Sequence, residues 1–211
     1  MKIGIIGATG NAGSVIFKEA QARGHEVTAI VRSADKATKM LGENINILEK
    51  NALELTQSDL NPFDAIINAS ALLPAYLNLD LATKLINLFR DNDKTQLIFI
   101  AGASSLVKED GSLQITDMLK AFAGEPWIEI PTQQSYELQF LKWIDNVNWT
   151  VMIPQNEFTA GAKTNYRLGT NEIMLSKNNK SEVSFGNFAA AMLDEIEDPK
   201  HIRKQFTVVN N

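Results

Sequence analysis

Gly7, Gly10 and Gly13 stand three apart at the join between an apolar run, Ile3–Ile6, and a segment of helical periodicity, Asn11–Arg23. A join of this kind can hold an anion. The first turn of a helix leaves its backbone N–H groups unpaired and carries about half a positive charge of dipole, and both face whatever sits above it. A glycine in the tight turn permits the backbone geometry. A second removes the side chain that would block the anion, and the last lets helix pack on strand. Inside a strand–helix–strand unit of about 30 residues this reads as a seat for the pyrophosphate of a dinucleotide, built from Gly7, Thr9, Gly10, Asn11, Ala12 and Gly13. The next strand, Glu26–Val31, ends in Arg32-Ser33, with Lys36 a turn later. An acidic residue there would hold a ribose 2′-hydroxyl. A guanidinium pairs with a 2′-phosphate instead, and a serine hydroxyl donates to it. Arg32, Ser33 and Lys36 therefore predict NADP(H) in preference to NAD(H).

Spacing also excludes a chemistry. Tyr-x-x-x-Lys on a helix puts both side chains on one face, where the lysine lowers the tyrosine pKa and makes it a proton donor. Tyrosines occur only at 76, 136 and 166, and four residues beyond them stand Asp80, Phe140 and Thr170. Tyr136 and Lys142 are six apart, about 240° around a helix, and do not face each other. What remains is hydride transfer to an acceptor that takes its proton from water, such as FMN, another flavin or a quinone. The protein then mainly aligns two flat rings. Ser104 has no histidine placed with it, so it reads as a pocket hydroxyl rather than a nucleophile. The chain has no cysteine and only His25 and His201, which excludes disulfides and thiolate metal centres and argues against any metal site.

The elements that must position these residues alternate in type. Short β-rich runs recur at Lys2–Ile6, Glu26–Val31, Ile45–Leu48, Asp64–Asn68 and Gln96–Ile100. Helical patterns lie between them: Asn11–Arg23, a short one capped by Ser33 and ending near Leu41, and Leu79–Arg90 with Leu81, Leu85 and Leu88 on one face. The strands are nearly continuous apolar runs, which suits strands covered on both faces. The expected fold is α/β, a doubly wound parallel sheet of Rossmann-like type with a small C-terminal substrate lobe. One domain spanning residues 1–211 is expected, with 108–134 and 155–181 as irregular substrate-side segments. Beyond residue 107 the pattern predicts a helix at Gln133–Asp145, strands at Thr150–Ile153 and Glu172–Leu175, a helix at Asn187–Glu197 and a final strand at Gln205–Val209. Asn156, Phe158 and Tyr166 fall on the loops where open parallel sheets bind substrates.

Composition narrows the class further. The chain has 211 residues, 45% hydrophobic, with 20 basic against 25 acidic side chains and a net charge of −5. That balance argues against nucleic acid, whose phosphates select basic surfaces. No stretch approaches the roughly 20 apolar residues of a membrane helix, and Met1-Lys2 runs straight into the first strand, so no signal peptide is expected. The expectation is a cytoplasmic protein with a small-molecule acceptor, monomer or homodimer.

With these residues in hand, the chain resembles the atypical short-chain dehydrogenase/reductases, in particular the NAD(P)-binding NmrA-like and NAD(P)H-flavin reductase group that includes the biliverdin reductase B type. The segments that carry the resemblance are Gly7–Gly13, Val31-Arg32-Ser33, Ile100–Leu106, Trp149–Pro154, Tyr166–Gly169 and Pro199–Arg203. The resemblance implies that Asn51, Ala52 and Leu53 lie beside the adenine, although the family often has an acidic residue where Asn51 stands. It implies that Ala69, Ser70 and Ala71 approach the ribose and nicotinamide, and that Ser104 and Pro154 face the nicotinamide side. Gln155 stands where the biliverdin reductase B type has histidine, which turns the expected acceptor away from bilins. Two functions follow: an NADPH-dependent reductase of a flat conjugated acceptor, with Gln155, Asn156, Phe158 and Tyr166 around it, or a non-catalytic NADP(H)-binding redox sensor.

Overall fold

Apolar runs rich in Ile and Val form the inner strands of one sheet, because only strands buried on both faces can shed that much surface from water. A computed structural model describes all 211 residues. Its parallel strands are β1 (Lys2–Ile6), β2 (Glu26–Val31), β3 (Asn46–Glu49), β4 (Ala65–Asn68), β5 (Asn92–Ile100) and β6 (Val147–Pro154). The helices among them are α1 (Asn11–Ala22), α2 (Ala34–Leu41), α3 (Gln57–Leu60), α4 (Leu77–Leu88), α5 (Gln114–Phe122) and α6 (Glu129–Leu141). After β6 come β7 (Glu157–Thr159), β8 (Tyr166–Gly169), β9 (Glu182–Ser184), α7 (Phe185–Glu197) and β10 (Lys204–Asn210).

The sheet order is β3-β2-β1-β4-β5-β6-β10-β8. Every pairing is parallel except β8 against β10, where Val208 faces Leu168. The order reverses between β1 and β4, and a ligand crevice opens at such a switch point, beyond the carboxyl ends of the strands. Alternate strand residues feed two cores. Ile3, Ile5, Val27, Ala29 and Met152 pack under α1 and α7, while Ile6, Ile30, Leu97, Phe99 and Trp149 pack under α4 and α6. The cores contain 24 and 23 buried residues, so neither face of the sheet is open. No helix is long and apolar enough to cross a membrane.

The second half of the chain departs from expectation in two places. Residues 108–134, expected to be irregular, contain α5, a 3₁₀ turn at Pro126–Ile128 and the first turns of α6. Ile115, Met118, Leu119 and Phe122 have helical spacing, and α5 buries only Ile115 of them. Pro131 falls in the first turn of α6, where its missing N–H leaves no gap in the helix ladder. The expected strand at Glu172–Leu175 is instead a pinned loop with one isolated bridge, Val107 to Glu172. The Glu172 carboxylate accepts from the Thr170 and Asn171 N–H groups, and the Met174 N–H donates to Gln155. Side chains satisfy this backbone in place of a ladder. The strands in this region are β7, β8 and β9, with β7 and β9 paired as a small separate sheet.

Candidate functional site

A cleft of about 320 Å³ opens beyond the ends of β1, β2 and β4, at the switch point. Gly7, Thr9, Gly10 and Asn11 form its floor. Gly7 adopts φ +79, and a Cβ on it would meet the backbone of Ser70 at 2.9 Å, so the ends of β1 and β4 approach because no side chain separates them. A Cβ on Gly13 would collide with the Gly7 carbonyl oxygen, so the third glycine sets α1 against the turn rather than lining the cleft. Ala12 lies beside it in the same helical turn, also off the cleft wall.

The start of α1 differs chemically from the starts of α2 and α7. Ser33 and Ser184 cap those two helices, accepting from the N–H groups of Lys36 and Asn187. Gly10 gives α1 no side-chain cap, and no acidic residue stands in its first turn. The first N–H of α1 to find a backbone acceptor is that of Ser14, bonded to the Gly10 carbonyl. The N–H groups of Asn11, Ala12 and Gly13 thus have no acceptor within the protein, and Asn11 lines the cleft where an anion would sit. This fits the pyrophosphate of a nicotinamide dinucleotide.

Three cations reach the wall: Arg32 at the end of β2, Lys36 in α2 and Lys50 after β3. No carboxylate lines the cleft. Lys50 pairs with Asp59 at 2.7 Å, and hydrogen bonds from Lys50 and Thr56 hold that carboxyl at about 2. Lys50 carries no motif of its own in the sequence. Its position was available, because in a parallel sheet the residue after β3 must lie beside the residue after β2. Ser33 caps α2 and does not line the cleft. Asn51 and Ala52 do line it. The Asn51 side-chain oxygen accepts from the Leu53 N–H, which turns the 3₁₀ segment Ala52–Glu54, and Leu53 itself packs on the core under α4. Ala69, Ser70 and Ala71 close the opposite wall together with Leu72. The Ser70 hydroxyl donates to Asn68 at 2.6 Å.

The expected substrate-side residues fare differently. Ser104 lies buried in the 3₁₀ turn Ala103–Ser105, with its hydroxyl 3.4 Å from the Pro131 carbonyl, and Pro154 ends the adjacent strand β6. Asn156 is exposed and accepts from Gln114 of α5 at 2.7 Å. None of Ser104, Pro154, Gln155, Asn156, Phe158 and Tyr166 lines the cleft. Gln155 is fully buried; it donates to Thr207 at 2.7 Å and accepts from Ser181 at 2.8 Å and the Met174 N–H at 2.9 Å. Phe158 packs against Phe185 and Phe188, with ring centroids 4.6 and 4.7 Å away. The Tyr166 hydroxyl donates to Asp194 of α7, and burial together with that carboxylate raises its pKa. A sequence pattern places such residues on loops but not their side chains in space. One buried carboxyl also escaped the sequence reading: Glu137 on α6, which burial pushes up to about 8.

Comparison with known proteins agrees with this geometry. A family model described as NAD(P)H-binding matches residues 7–199. Protein YwnB of Bacillus subtilis strain 168 is 38% identical over 214 residues, covering 100% of this chain and 99% of its own length. A Lactobacillus casei crystal structure is 39% identical, with a TM-score of 0.95 over 100% of this chain and 99% of that one. A Streptococcus pneumoniae TIGR4 protein named as a candidate NADH-flavin reductase is 33% identical, with a TM-score of 0.84 over 100% of both chains.

Proposed function

The chain belongs to the NAD(P)H-binding family, among the atypical short-chain dehydrogenase/reductases, and from that premise we propose that it is an NADPH-dependent reductase of a flat conjugated acceptor, a flavin or a quinone. The observation that carries the reading is the cleft itself: an uncapped helix start for the pyrophosphate and three cations with no carboxylate among them. A 2′-phosphate is attracted to Arg32, Lys36 and Lys50, whereas an acid there would repel it. When bound, the nicotinamide supplies a hydride. The chain's own residues seat the pyrophosphate on α1, hold the adenosine between Arg32 and Asn51-Ala52, and pass the ribose along Ala69–Ala71. Ser104 and Pro154, at the ends of the neighbouring strands β5 and β6, border the acceptor. The relative from S. pneumoniae is named for NADH and flavin, which supports the acceptor class and makes the cofactor choice a direct test.

A second reading, an NADP(H) sensor without turnover, is favoured by the absence of a Tyr-Lys pair and by the Ser104 hydroxyl being turned to the Pro131 carbonyl. One measurement separates the two. The pure protein is mixed with NADPH and FMN, then with NADPH and a simple quinone, and the absorbance of the reduced nicotinamide is followed. Turnover well above the uncatalysed rate is expected. Tight NADPH binding with no turnover across a panel of acceptors would support the sensor instead.

A further inference from the structure

A second cavity, of about 450 Å³, lies at the opposite end of the sheet, where β6 and β10 begin. Its wall carries Lys142, just beyond α6, with Lys200, His201, Arg203, Lys204 and Gln205 from the turn into β10. We propose that this cavity binds a small polyanion bearing two or more phosphate or carboxylate groups, at a site separate from the dinucleotide cleft.

The charge is local and against the molecular trend. The chain has a net charge of −5, yet no carboxylate lines this cavity. Two acids beside the turn are already engaged. Asp198 pairs with Lys200 at 2.9 Å. Glu195 pairs with His201 at 2.7 Å and accepts from the N–H groups of Lys200 and His201. Lys142, Arg203 and Lys204 have no carboxylate within ion-pair distance, so three cations of this wall lack a counter-charge from the protein. Like charges brought together repel unless an anion lies between them.

Two further features point to a ligand. Gln205, only 9% exposed, lines the cavity, and its side-chain oxygen is sealed from solvent with no hydrogen-bond partner. An amide oxygen accepts and cannot bond an anion, so the contact that Gln205 can offer a polyanion is from its amide N–H₂ group. Arg203 adopts φ +56, a left-handed conformation unfavourable for a residue with a side chain. The turn is held there by the Arg203 N–H donating to the Trp149 carbonyl at 2.6 Å and by its guanidinium donating to the Asp145 carbonyl. Backbone strain of this kind persists where the surroundings fix it, and it gathers at ligand sites.

The test uses the full chain saturated with NADPH, so that the first cleft is closed to other anions. Inorganic pyrophosphate and, separately, citrate are titrated at constant ionic strength. The indole N–H signal of Trp149, whose residue also lines the cavity, is followed by ¹⁵N nuclear magnetic resonance, with calorimetry in parallel. A saturable one-to-one shift with at least one anion is expected, and the anion preferred identifies the phosphate or the carboxylate class. Lys142→Ala and Lys204→Ala should each weaken that binding about tenfold, the worth of one charge-assisted contact, and leave NADPH affinity unchanged. No saturable shift with either anion at millimolar concentration would overturn the proposal. So would an affinity unaltered in the double variant while its NADPH binding shows that it has folded.

Discussion

Arg32 stands where β2 leaves the sheet, and Lys50 occupies the equivalent place on β3, so neighbouring parallel strands deliver two cations to one corner of the cleft. Their equivalence ends there. Lys50 is half engaged by Asp59, whereas the Arg32 guanidinium has no carboxylate partner and is free to take a phosphate in a bidentate grip. Truncating Arg32 should therefore act on one cofactor only. A lost charge-assisted contact is worth about 1.5–3 kcal/mol, so Arg32→Ala is expected to weaken NADPH roughly 10–150-fold and to leave NADH nearly unchanged. Calorimetry with both nucleotides decides it. An equal loss for the two would mean that Arg32 serves the adenosine or the fold rather than the 2′-phosphate.

At the scale of elements, the first half of the molecule was readable because its signals are local. The strand–glycine–helix join, the apolar runs and the Ser33 cap each lie within a few residues, and α1, α2 and β1–β4 fall close to where those patterns place them. The 155–184 lobe was not readable, because side-chain hydrogen bonds between distant residues organise it. Gln155 joins Thr207 of β10, the Ser181 hydroxyl and the Met174 N–H in one buried knot. In the sequence it is one polar residue after a proline. The candidate site divides the same way: its glycines and Arg32 are local signals, while Lys50 and the true positions of Phe158 and Tyr166 depend on how elements meet. Gln155→Leu keeps the volume roughly constant and leaves several buried groups unpaired. Each costs about 1–3 kcal/mol, so a net destabilisation of about 2–4 kcal/mol is expected in chemical denaturation. A change below about 0.5 kcal/mol, the range of ordinary surface substitutions, would show that water replaces the knot.

For the molecule as a whole, the dependence of stability on pH is set by which carboxyls change environment on folding. Burial alone would raise Glu19 and Asp194. Hydrogen bonds outweigh it and lower both, from Lys163 and Arg23 on Glu19, and from Tyr166 and Arg23 on Asp194. These groups clamp α1 to α7 and Asp59 is likewise depressed, so their stabilisation is complete at neutral pH and is lost only as acid protonates them. Glu137 works in the opposite sense. It is 5% exposed, and burial moves it from an ordinary 4.5 to about 8. Between those two values the folded chain keeps a proton that the unfolded chain has released. Stability therefore falls as pH rises through that window, and the loss is complete above about 8. Glu137→Gln has no proton to lose there. Relative to the parent it should gain stability from pH 5 to about pH 8 and hold level above it in urea denaturation, while the acid limb below pH 4, governed by Glu19, Asp194 and Asp59, should superimpose. Parallel curves for the two proteins across the whole range would mean that the Glu137 carboxylate is solvated in the folded state, and that α6 does not carry a buried neutral acid.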